Sequence, residues 1–137
     1  MRNKTESNFR PGFRLSAFDG VVIAMSSIVS IAIGSTTPGL AFVIIFVVSH
    51  FFLFCNVFRI ARSLELVWSS IFVALAYCTI TFSSPSWPIT TLALLLVTIV
   101  VVAIEIRKPS YHGIFWTRIN PDLPQWWAKQ EHQLPSD

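Results

Sequence analysis

His50 lies within the run FVVSHFFLFCNVFRIAR, residues 46–62. An imidazole in such surroundings has two chemical uses. It can be an axial ligand for haem or chlorophyll, or it can relay a proton. Its plain use is packing, with the ring N–H bonded to a carbonyl or to a Ser or Thr hydroxyl of a neighbouring helix. A b-type haem held between helices commonly takes two histidines. His112 and His132 both fall outside the apolar runs, so the count leaves chlorophyll open on His50 alone. No cofactor is predicted; haem or chlorophyll at His50 is the alternative.

Among the other polar side chains in or at the ends of apolar runs, Asp19, Asn56, Tyr77 and Glu105 are the further candidates. Asp19 is suited to pairing with Arg14 or with a basic residue of the middle connection. A carboxylate in a first span is also what a small proton-coupled transporter would use. Asp19 lies only about one turn inside, which is shallow for that part. Glu105 reads as a surface ion pair with Arg107 or Arg59, worth about 0–1 kcal/mol if exposed. Thr91, Thr98 and Glu105 are spaced by sevens and share one helix face. At about 100° per residue, Ser49 and Asn56 fall within about 20° of each other, and His50 is about 120° away. His50 therefore belongs to the face of Val43, Phe46, Val47, Phe54 and Val57, while Ser49, Asn56 and Ser63 form a separate polar line.

Helices must carry these residues. The chain of 137 residues is 53% hydrophobic and 12% charged. A soluble domain carries about 25% charge. A chain this poor in charge cannot cover a water-facing surface and reads as an all-α integral membrane protein. Crossing a bilayer takes about 20 apolar residues. Residues 15–35, 39–58, 64–83 and 87–106 qualify, giving a four-transmembrane-helix bundle with short loops. "STTPG" and "SSPSWP" are turn signals. In "RIARSLE", Arg59, Arg62 and Glu65 are three apart, so the second span is expected to continue as a helix beyond the bilayer.

All ten Lys and Arg fall in three regions: Arg2, Lys4, Arg10 and Arg14 before the first span, Arg59 and Arg62 between the second and third, and Arg107, Lys108, Arg118 and Lys129 after the fourth. Four spans put these regions on one side, and the positive-inside rule makes that side cytoplasmic, for both termini. Acidic residues, from Glu6 to Asp137, lie on or near the same face. The expected location is the bacterial inner membrane. The other side offers two tight turns and no substrate-binding domain. The N-terminus lacks a small-residue cleavage site, so the first apolar run is read as a retained span.

Small residues set the expected packing. Ala17, Gly20, Ala24, Ser27 and Gly34 form one seam; Ser70, Ala74, Tyr77 and Thr81 form another, with Tyr77 as a hydrogen-bond donor. Both are expected to meet other spans of the chain. Cys55 and Cys78, inside apolar runs, read as buried thiols. No CxxC or Cys/His ligand spacing occurs.

Residues 1–14 form a cytoplasmic N-terminal segment, 15–106 the transmembrane domain, and 107–137 a cytoplasmic tail rich in Pro and aromatics. Four prolines prevent one long helix there. Asp122 is placed to cap a short helix beginning near Pro124. Tyr111, Trp116, Trp126 and Trp127 suit the headgroup region or a protein interface, and Arg59 and Arg62 suit anionic headgroups. The chain has no catalytic carboxylate pair, metal spacing or phosphate loop. The expected function is a non-catalytic accessory or scaffold subunit of a larger membrane complex, with lipids and other membrane subunits as partners and no nucleic acid. The alternatives are cofactor binding at His50 and transport at Asp19.

Overall fold

The structure is a computed structural model and describes residues 10–133, with side chains to residue 130. Arg2, Lys4, Glu6 and Asp137 lie outside these. The described chain is helical without strands, and four of its helices are long and apolar enough to cross a membrane.

It falls into two compact units. The first ends at Arg59 and takes in His112–Phe115; the second holds Ile60–Tyr111 and the residues from Trp116 onward. Each unit is built on one helical hairpin.

In the first unit, α1 (Ala17–Gly34) opens with a capping box. The Ser16 hydroxyl accepts from the Phe18 N–H, and Asp19 Oδ2 accepts from the Ser16 N–H at 2.8 Å. These bonds satisfy donors that a helix start leaves orphaned. The Thr36 and Thr37 N–H groups both return to the Ile33 carbonyl, closing α1. Pro38 then starts α2 (Pro38–Phe52), a position that needs no N–H. Near this turn a Cβ on Gly34 would meet that of Ala41 at an ordinary 4.0 Å.

α2 does not run on toward Arg62 as a regular helix. It widens into a π-helix, Leu53–Phe58, and ends at Arg59, whose φ of 51° is left-handed. A helix end leaves carbonyls without partners. Here the Arg14 N–H donates to the Asn56 carbonyl at 3.2 Å, and the Ile114 N–H to the Val57 carbonyl at 2.8 Å. The expected continuation through Arg62 is thus replaced by a break. Left-handed backbone ends helices, and the carbonyls that a further turn would use are taken by other segments.

In the second unit, α3 (Arg62–Phe82) begins after Ala61, whose carbonyl receives the Leu64 and Glu65 N–H groups. It ends at a left-handed Ser83. α4 (Trp87–Ile106) starts at Ser86 with a proline in its first turn. Two polar contacts link α3 and α4. Trp68 Nε1 donates to Thr98 Oγ1 at 2.9 Å, and the Thr79 and Thr90 hydroxyls are 2.7 Å apart. All four residues are buried. Thr98 Oγ1 in turn donates to the Leu94 carbonyl. α5 (Trp116–Ile119) and α6 (Leu123–Gln133) follow. The Asp122 carbonyl receives the Trp126 N–H, which puts Asp122 at the start of α6.

These pairs correct the expected seams. Ser70, Ala74, Tyr77 and Thr81 are exposed, whereas Trp68, Ala76 and Thr79 face inward. On α1, Ala17, Gly20, Ala24 and Ser27 are exposed and only Gly34 of that set is half-buried. The inward side of α1 is Asp19, Val22, Ile23, Ser26 and Ser30. Small residues permit close approach, but on α3 and α4 the buried face is the one whose polar groups find partners.

Candidate functional site

Within the first unit, α1 and α2 bound a groove of about 220 Å³, lined by Ile23, Ser26, Ser27, Ile45, Val48, Ser49 and Phe52. Ser26 donates its hydroxyl to the Val22 and Ile23 carbonyls, and Ser27 to that of Ile23. Their protons are turned back onto α1, so the groove is mainly apolar. A recess of about 10 Å³ adjoins it, with Ile23, Val48 and Phe52 as shared walls and Asp19 and Asn56 added. The π-helix carries Asn56, and the first turn of α1 carries Asp19.

Asn56 is 6% exposed, and its Nδ2 has no hydrogen-bond partner among the described residues. The Ser30 hydroxyl is in the same condition. A buried donor left unmade costs about 1–3 kcal/mol. π-helical turns are found often at functional sites. Ser49 lines the groove and Asn56 the recess, so these two face α1 as their spacing implies. Ser63 belongs to α3 and leaves the line, because the break at Arg59 intervenes.

His50 is buried on the other side of α2. Its Nδ1 is 2.8 Å from the Phe46 carbonyl one turn back on the same helix. Its ring lies 4.2 Å from that of Phe46 and edge-on to Phe54 at 5.9 Å. The carbonyl partner thus comes from α2 itself and not from a neighbouring helix. No group of three or more His, Cys, Asp or Glu is arranged to hold a metal among the described residues. Cys55 and Cys78 are half-buried thiols outside any disulfide.

At the close of the π-helix, Arg59 meets the Arg10 backbone and feels the charge of Arg14. Arg59 Nη1 donates to the Arg10 carbonyl at 2.6 Å. Burial, and then the charge of Arg14, push the Arg59 guanidinium below its ordinary range. The helix carboxyl end favours cations there, and the arginines repel one another. Arg62 is exposed in the first turn of α3.

Glu105 pairs with Lys108 and not with Arg107 among the described residues. It is 4% exposed and bonded to Lys108 at 2.6 Å, because α4 ends at Arg107 and the chain turns Lys108 back over it. Tyr111 is completely buried, so it offers lipid or partner no surface. Burial, and then Glu105, raise its hydroxyl above the ordinary value. Asn120 Nδ2 donates to the Pro109 and Tyr111 carbonyls and fixes this turn of the tail. Trp116, Trp126 and Trp127 are half-buried, and Phe115 is exposed. Tyr77 is exposed on α3.

Sequence reasoning singled out Asp19 and Asn56 but not their shared recess. It also missed Trp68, Thr79 and Thr90. Hydroxyls and an indole N–H in apolar runs were the available signal. Comparison with known proteins finds no matching family model, curated protein or solved structure.

Proposed function

We propose that this chain is an integral membrane protein, a four-span bundle of the bacterial inner-membrane type, that serves as a non-catalytic accessory or scaffold subunit of a larger membrane complex. Four helices of sufficient length and apolar character support the membrane reading. Basic residues support a cytoplasmic location for both termini. Residues 35–37 and 83–86 hold no Lys or Arg, whereas the segments flanking the hairpins on the other side hold all ten. Hydrogen bonds from Gly12 to His112, Arg14 to Asn56 and Ile114 to Val57 are consistent with one common face for these segments.

The observation that carries the accessory reading is the outward position of the small-residue stripes. Gly20 has no atom within 4 Å of an added Cβ, and Ala24, Ser70 and Ala74 are exposed. In lipid, helices associate by close packing at such faces, since the hydrophobic effect does not drive them together. Lateral docking of another membrane subunit uses them, with Trp116, Trp126 and Trp127 of the tail at the headgroup level.

Purification in mild detergent, followed by identification of the accompanying proteins, tests this. A defined membrane partner should accompany the wild type and be lost from Gly20→Leu or Ala74→Leu, with the chain's own unfolding temperature unchanged. A chain that migrates alone would sink the reading.

A further inference from the structure

We propose that Arg14 and Arg59, brought together where the first hairpin closes, hold the phosphate of one anionic phospholipid, with Phe13 and Leu15 against its acyl chains.

Hydrogen bonds lay residues 10–14 along the close of the π-helix. Arg59 Nη1 donates to the Arg10 carbonyl at 2.6 Å, and the Arg14 N–H to the Asn56 carbonyl at 3.2 Å. Burial first, and then the charge of Arg14, lower the Arg59 guanidinium from its ordinary range. Arg59 is half-buried and stands on a left-handed backbone. Two cations drawn together at a half-buried position call for an anion. Among the described residues neither guanidinium is bonded to a carboxylate. Asp19 gives Oδ2 to the Ser16 N–H and pairs with neither arginine. The carboxyl end of the π-helix offsets only about half a charge. Its Asn56 and Val57 carbonyls already accept from the Arg14 and Ile114 N–H groups.

The donors select phosphate. A guanidinium presents five N–H groups in a planar fork that matches phosphate oxygens. Arg59 uses one nitrogen on the Arg10 carbonyl, and Arg14 meets the helix end through its main chain alone. The surroundings select a lipid over the free ion. Phe13 and Leu15 flank Arg14 in sequence and are 52% and 59% exposed. The Phe13 ring stands edge-on to that of Phe52 at 6.0 Å, which ties the apolar residue beside Arg14 to α2. α1 begins at Ala17 and the second span ends at Phe58, so in a bilayer both arginines lie at headgroup level. A zwitterionic headgroup brings its own cation toward the pair; phosphatidylglycerol does not. Arg62 belongs to the second unit and takes no part.

The inference rests on the membrane-spanning reading, and the two fail separately. Full-length protein in mild detergent is titrated with phosphatidylglycerol, phosphatidylcholine or inorganic phosphate and read by native mass spectrometry. One phosphatidylglycerol should be retained saturably, and phosphatidylcholine more weakly. Arg14→Gln keeps the main-chain bond to Asn56 and should weaken retention by about ten- to hundredfold, the effect of one hydrogen bond to a charged group. Arg59→Gln should do the same; Arg14→Gln decides the matter if Arg59→Gln does not fold. Arg107→Gln removes the same formal charge from an exposed position of the second unit and should leave retention unchanged. Equal loss in Arg107→Gln, equal retention of phosphatidylcholine, or unchanged retention in Arg14→Gln would overturn the proposal. So would displacement of the lipid by an equal concentration of inorganic phosphate, the result for a site that takes the free ion. Alkaline carbonate extraction of the protein reconstituted in phosphatidylcholine vesicles reads the membrane assignment. A chain released into the wash defeats both ideas, whereas a retained chain that binds no phosphatidylglycerol saturably defeats the lipid site alone.

Discussion

Arg59 combines two opposing effects at one position. Its left-handed backbone, φ 51°, costs an L-residue roughly 1–2 kcal/mol. Its side chain bonds the Arg10 carbonyl at 2.6 Å. Substitution separates the two. Arg59→Ala keeps the strained backbone and removes the clamp. Arg59→Gly removes the clamp and relieves the backbone, at some cost in unfolded-state entropy. The glycine variant should be more stable than the alanine variant by about 0.5–1 kcal/mol. Detergent unfolding followed by circular dichroism measures the difference; equal stabilities would place the backbone outside the account. His50 shows the same economy on a smaller scale, since its own helix supplies the Phe46 carbonyl and the Phe46 ring beside it.

At the scale of elements, α3 and α4 are joined by two polar contacts in an apolar interface. The Trp68–Thr98 bond is the more telling, because Thr98 accepts from the indole and donates to the Leu94 carbonyl. A double-mutant cycle with Trp68→Phe and Thr98→Val should give a coupling of about 0.6 kcal/mol, the typical value between membrane helices. Additive effects in that cycle would mean that the indole N–H finds another partner. These contacts also explain which expectations held. Helix limits were legible because Pro38, Pro88 and small polar residues punctuate long apolar runs. The buried faces were not. A periodicity of 3.6 groups Ser70, Ala74, Tyr77 and Thr81 along one line but does not say which line turns inward. That choice depends on Thr79 meeting Thr90 and Trp68 meeting Thr98, and these partners are distant in sequence.

For the whole molecule, the grouping of all ten Lys and Arg outside the apolar runs is read directly from the sequence. The candidate site was legible only in part. Asp19 and Asn56 are conspicuous in apolar runs, but no residue of LFCNVF announces a π-helix. The segments that close it, residues 14 and 114, lie far away in sequence. Tyr111 offers a test of the ordered tail. Burial, and then Glu105, raise its hydroxyl above the ordinary value of 10.0. The folded chain therefore keeps the proton at a pH where the unfolded chain has released it. Stability from this group is complete below pH about 10 and falls as pH rises through the folded pKa. Ultraviolet titration of the folded protein should show Tyr111 ionising late, and Tyr111→Phe should flatten the alkaline fall in unfolding temperature. Ionisation of Tyr111 in the ordinary range would mean that the tail is open.

The bond from the Ile114 N–H to the Val57 carbonyl imposes an order on biosynthesis. The first hairpin leaves the ribosome early, yet two of its finishing contacts, at Val57 and Gly12, come from residues made after both later helices. Until then its open end carries an uncapped carbonyl and the unclosed π-helix. Completion of the oldest part of the chain waits for the newest, so a nascent chain stopped before His112 would present a hairpin that is not yet sealed.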